Sequence, residues 1–155
     1  MRNVVHFLTG NLILNLAILG WASAQIIKFF VILFTERKLD WPMLLSSGGM
    51  PSSHSSTVTA MATSVGLLYG FDSPLFAIAT VQAIIVMYDA SHVRRAAGDQ
   101  AKRVNFILDN WPDLKPEEFD KNLKELLGHT PLQVVMGALL GIFIGYIGSW
   151  YFVLR

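Results

Sequence analysis

Two of the four histidines in this chain, His54 and His129, sit where an imidazole could exchange a proton with a bound anion. His54 lies in Gly48-Gly49-Met50-Pro51-Ser52-Ser53-His54-Ser55-Ser56-Thr57. The glycines and the proline oppose a helix up to Pro51, whereas the serines after it are good helix starters, so a helix is expected to begin near Ser52. Its first-turn amides, those of Ser52, Ser53 and His54, would then point outward and attract negative charge. His129 stands just before Thr130-Pro131, an N-cap followed by a proline suited to the first helical position. Both imidazoles are thus expected at the amide ends of helices, where each could give or take a proton. The same residue types would also serve as a plain polar connector with two interfacial capping residues.

The elements that must position them are membrane helices. With 53% hydrophobic and 15% charged residues, the chain is too apolar for an ordinary soluble domain. Net charge is +1, which gives no reason to expect a nucleic-acid partner, and the absence of cysteine excludes disulfides, thiolate metal sites and a cysteine nucleophile. Spans are expected at about 12–34, 55–69, 75–89 and 131–154 of a single membrane domain, with a surface-helix insert at about 91–128. Arg2, the first apolar run and Ala22-Ser23-Ala24 imitate a secretory signal, but the run continues past that point to Phe34, as a span would. The second span is short and carries Thr57, Thr59, Thr63 and Ser64, so it is expected inside the bundle, where the hydroxyls find partners.

Lys28 falls within the first span, where a cation is costly and marks function unless it snorkels to the interface. Arg37 follows nine residues later, on roughly the same helix face. In the insert, Val93, Ala97, Ala101, Val104 and Leu108 recur at helical spacing, with Arg94, Arg95, Asp99, Lys102 and Arg103 on other faces: an amphipathic surface helix. Asp89, His92 and Asp99 have the donor types of a metal site but fall on different helix faces, so no metal is expected there. Gly137, Gly141 and Gly145 form a small-residue stripe for close helix packing, which is also compatible with a homodimer. Nine Lys and Arg residues fall in the loops between spans one and two and between spans three and four, against Arg2 and Arg155 on the other side. The positive-inside bias places the histidine loops in the cytoplasm of a cell (inner) membrane protein.

These motifs carry a family resemblance. Pro51-Ser52-Ser53-His54 resembles the Pro-Ser-Gly-His element of the type 2 phosphatidic acid phosphatase superfamily, and Gly128-His129-Thr130-Pro131 resembles its final histidine motif. With Tyr88-Asp89-Ala90 and Val93-Arg94-Arg95-Ala96-Ala97-Gly98, the chain is more closely similar to the divergent branch of that superfamily. The resemblance implies an all-α membrane bundle of about four transmembrane helices. It also implies hydrolysis of a lipid or isoprenoid phosphate through a phosphohistidine, with neither metal nor cofactor. His129 would be the nucleophile, His54 the acid for the leaving group, and Lys28, Arg37 and Arg94 or Arg95 the phosphate clamp, helped by the amides of Ser52 and Ser53.

The chain departs from the pattern in places. Gln133 stands where the superfamily has the aspartate that orients the nucleophile, and Ser53 replaces the motif glycine. The Ser-Arg pair ahead of the second histidine is absent, and the spacing from Lys28 to Arg37 is two residues longer. Asp89 or Glu125 is a candidate substitute for the missing carboxylate. The alternative function is a membrane protein that binds phosphate or a lipid head group without turning it over.

Overall fold

The computed structural model describes residues 9–36, 49–110, 123 and 128–154. The protein is an all-α membrane helical bundle, with no strand among the described residues. Helix α1 spans Leu12–Glu36, α2 Ser53–Tyr69, α3 Pro74–Tyr88, α4 Arg94–Asn110 and α5 Pro131–Ser149. Among the described residues, three stretches are long and apolar enough to cross a membrane: Leu12–Thr35, Pro74–Asn110 and Pro131–Val153. Helix α2, with 17 residues and a polar sequence, is the one they surround. It packs against α1, α3 and α5, and α1 also touches α5.

The bundle is apolar outside and mixed inside, where small hydroxyl side chains lie among alanines, valines, Leu16 and Ile32. Its largest fully buried side chains are serines, Ser52, Ser55, Ser56, Ser64 and Ser149, while Trp21, Phe30, Ile78, Ile85, Leu139 and Phe143 face outward. Hydrocarbon does not penalise such a surface, but it cannot supply hydrogen bonds, so interior hydroxyls must find partners within the protein. Ser56 Oγ donates to the Gly20 carbonyl of α1 at 2.9 Å, and Thr59 Oγ1 reaches the Ala138 carbonyl of α5 at 3.1 Å. Ser64 and Thr57 donate back to carbonyls four residues earlier in their own helix, at 2.7 Å each.

The glycine stripe of α5 meets α2 within the same chain. A Cβ on Gly137 would collide with the Ser52 carbonyl, one on Gly141 with the Ser56 carbonyl and Thr59, and one on Gly145 would lie 2.7 Å from the Ala60 carbonyl. The stripe is therefore already covered and gives a homodimer no support. At the other end of α2, Gly70, at φ +93°, closes the helix with a bond from its N–H to the Gly66 carbonyl. Ser73 then caps α3, and Pro74 occupies its first turn.

The expected break after residue 89 is absent. Helix α3 continues through a π-helical turn, Asp89–Val93, directly into α4. Tyr88-Asp89-Ala90-Ser91-His92-Val93 contains neither proline nor glycine, so its change to polar residues alters the helix's surroundings without stopping the backbone. Ser91 Oγ donates to the Met87 carbonyl at 2.9 Å inside this widened turn.

Gly141→Ala separates helix propensity from packing. Alanine gains about 1 kcal/mol in an unconstrained helix, but its Cβ would press on the α2 backbone, where overpacking costs about 1–3 kcal/mol. The expected result is a lower thermal unfolding midpoint in detergent. An unchanged or raised midpoint would show that α2 and α5 can separate freely.

Candidate functional site

The amide ends of α2 and α5 lie side by side. Ser52 is the N-cap of α2, its Oγ accepting from Ser55 N–H at 3.3 Å, and Thr130 is the N-cap of α5. The two starts are joined by one main-chain bond, from Ser52 N–H to the Gln133 carbonyl at 3.0 Å. This brings His54, in the first turn of α2, to His129, just ahead of α5, with ring centroids 6.1 Å apart and planes at 66°.

His129 is held from three directions. Its backbone N–H donates to the Ala90 carbonyl in the π-helical turn at 3.0 Å. Gly128 lies so tightly on the Arg95 backbone that a Cβ there would come within 2.6 Å of Arg95 Cα. The ring is fixed by Gln133, whose Oε1 lies 3.3 Å from His129 Nδ1 and also accepts the Thr130 N–H at 3.0 Å. The Thr130 contact identifies that side-chain atom as the amide oxygen, an acceptor. Nδ1 must therefore carry the hydrogen, leaving the lone pair on Nε2. Nε2 is buried and has no hydrogen-bond partner among the described residues. Burial pushes the imidazole below the ordinary histidine range, and His54 and Lys28 act in the same direction, while the Gln133 bond and the Gly49 carbonyl oppose them.

Lys28 is 3% exposed, and Gly49, at φ +90°, passes over its stem so closely that a Cβ would lie 2.7 Å from Lys28 Cε. Its charge acts on both imidazoles. It therefore sits by the pair rather than snorkelling away. Arg94 also acts on His54 and is held by Asp89, Nε to Oδ2 at 2.8 Å. Arg95 has an exposed side chain and contributes its backbone as the seat of Gly128. Of the two arginines, it is Arg94 whose charge acts on His54. Asp89 binds Arg94 and neither imidazole, so it does not take the orienting role at His129; Gln133 does.

Ser52 corrects an expectation. It is fully buried, its N–H is bonded to Gln133 and its Oγ also accepts from Ser55 Oγ at 3.0 Å, so it joins the two helices and has no free amide to offer an anion. The outward first-turn positions are those of Ser53 and His54. Arg37 and Glu125 lie outside the described residues. His92 stacks on Tyr88, with centroids 4.5 Å apart, and bonds Ser91. Sequence reasoning missed Ala90 and the seat of Gly128. Gly128 carried a detectable signal, a glycine directly before the motif histidine, whereas Ala90 acts through a main-chain carbonyl and carried none.

The Gln133 latch is open to spectroscopy. Imidazole ¹⁵N shifts in labelled protein are expected to show His129 protonated at Nδ1. Gln133→Ala is expected to mix the tautomers and to cost about 1 kcal/mol of stability through the lost capping box. A wild-type ring protonated at Nε2 would contradict the assignment.

Residues 9–144 match the Divergent PAP2 family. The chain is 44% identical over 139 residues to the uncharacterized membrane protein YuiD of Bacillus subtilis (strain 168), a match covering 83% of this chain and 88% of that one. No solved structure matches it. With nearly the whole bundle inside the matched region, including both histidines, Lys28, Gly137 and Gly141, the chain belongs to the divergent PAP2 family.

Proposed function

We propose that the protein is a membrane phosphatase that hydrolyses a lipid or isoprenoid phosphate through a phosphohistidine. The observation that carries this reading is the buried, unpartnered Nε2 of His129 beside His54 and the buried Lys28. A neutral imidazole with an unshared pair attacks phosphorus: a P–N bond forms as the bond to the lipid oxygen breaks. His54, whose protonated form burial and the charges of Arg94 and Lys28 disfavour and Asp89 favours, gives its proton to the departing alkoxide, then takes one from the water that splits the phosphohistidine and releases inorganic phosphate. Lys28, Arg94 and Arg37 neutralise the non-bridging oxygens, and the Ser53 and His54 amides add fixed dipoles. Such a set of protein cations can do the charge work often given to Mg²⁺, in keeping with the family resemblance.

One observation favours a second reading. The latch on His129 is a neutral amide, which orients the ring but does not balance the positive charge that develops on it. A site of this kind could bind phosphate head groups without turnover. The nine Lys and Arg residues between spans one and two and between spans three and four favour a cytoplasmic placement in a cell membrane on the positive-inside rule.

Phosphate release from a lipid phosphate by purified protein separates the readings. It is expected to persist in EDTA, to vanish in His129→Ala and to fall about 10²- to 10⁴-fold in His54→Ala. Because burial lowers the His129 pKa, its lone pair stays available as pH falls through 6.5, the ordinary histidine value. Loss of the nucleophile on the acid side of the rate profile is therefore expected below that pH. No release by wild type, with phosphate binding that depends on Lys28, would establish the binding reading.

A further inference from the structure

Of the apolar grooves on the lipid-facing surface, two lie between helices of the bundle, and only one of these is lined by the segment that leads into the His54 helix. The larger, about 580 Å³, lies among α2, α3 and α5, with Leu67, Phe76, Ile84 and Ile142 in its walls. The smaller, about 280 Å³, lies between α1 and α5 and is lined by Ile27, Val31, Met50, Pro51, Leu139 and Phe143, among others. Its lining is joined to the site through the chain itself. Ile27 directly precedes Lys28, and Met50 and Pro51 connect Gly49, which covers Lys28, to Ser52, the cap of the His54 helix.

We propose that this α1–α5 groove holds one hydrocarbon chain of the phosphorylated substrate, making the protein selective for long-chain phosphate esters. The proposal rests on the phosphatase or head-group-binding reading above. A lipid phosphate is one molecule, so a head group held beside Lys28 and His129 sends its chain out over the nearest apolar surface. Met50 and Pro51, which follow Gly49 over Lys28 in the chain, offer such a surface. From there α5 carries the groove down to Phe143, seven residues beyond Met136, about 10 Å deeper at helical rise. The walls are almost wholly aliphatic or aromatic, which suits a chain and offers no polar group to a glycerol or sugar. The larger groove includes Thr59, Thr63 and Thr80, and Thr80 Oγ1 is buried without a partner among the described residues. None of the Met50–Pro51 loop lines it, so size alone does not recommend it.

Blocking each groove tests the assignment. Leu139 and Ile84 are 55% and 58% exposed, so a tryptophan at either position projects into its groove without entering the core. With full-length protein in detergent, Leu139→Trp is expected to lower kcat/KM for hexadecyl phosphate by about tenfold while butyl phosphate changes by less than about twofold. Ile84→Trp is expected to change neither. Equal losses for both esters in Leu139→Trp, or a chain-length effect from Ile84→Trp alone, would overturn the assignment.

A second arm does not depend on turnover. A hexadecyl phosphate carrying a diazirine on its chain is expected to label Leu139, Phe143 or Val31, with excess inorganic phosphate suppressing that label. Label spread over all lipid-facing helices, insensitive to phosphate, or concentrated at Ile84 and Ile142 would overturn the proposal. If wild type releases no phosphate from either ester, the catalytic reading fails, and the labelling still decides the groove.

Discussion

One close approach governs this molecule: the backbone of α5 lying directly on the backbone of α2. Three α5 positions that would otherwise carry a Cβ face carbonyls of α2, so the helices approach to a distance that larger residues would prevent. That approach permits a main-chain hydrogen bond between the two helix starts, from Ser52 to Gln133. The bond fixes the register of one amide end against the other, and with it the separation of His54 and His129. Their relation is thus set by backbone contacts below them rather than by contact between the rings.

The small hydroxyl side chains of the α2–α5 contact follow from the same constraint. Packing at backbone distance leaves room there for serine, threonine, alanine and glycine, while the larger Leu16 of α1 is buried over Gly148 of α5. The hydroxyls of Ser56, Thr59 and Ser64 on α2 are matched to carbonyls of α1, of α5 and of α2 itself, while the buried Nδ1 of His54 has no partner among the described residues. Lys28 is the expensive exception. It lies 3% exposed within an apolar helix, beneath Gly49 at positive φ. The π-helical turn completes the frame by carrying the Ala90 carbonyl to His129 and the Asp89–Arg94 pair to the His54 side.

Much of this arrangement was legible in the residues. Helix starts have strong chemical signatures, so Ser52 before α2 and Thr130-Pro131 before α5 marked where the amide ends would be. The hydroxyls of the second span indicated its inner position, and the glycine spacing showed that something would pack closely. Which helix that partner was could not be read, because a small-residue face fits a neighbour in the same chain and a second copy equally well. The helix through Asp89 was missed because a change in polarity was taken for a change in backbone, though Tyr88 to Arg94 holds no breaker. Ser52 was expected to offer its amide to an anion, and the Gln133 carbonyl, far away in sequence, takes it. The choice between Arg94 and Arg95 depended on helix phase across a π-helical turn, where the regular 3.6-residue count fails.

The central claim is that one anion is shared by two imidazoles that different helices bring together. The most direct test is a phosphate titration followed by the imidazole resonances of all four histidines in labelled full-length protein. The account requires His54 and His129 to shift together along a single 1:1 isotherm, with His92 unmoved. Separate isotherms for the two rings, or a response from His92 while His129 stays still, would contradict it.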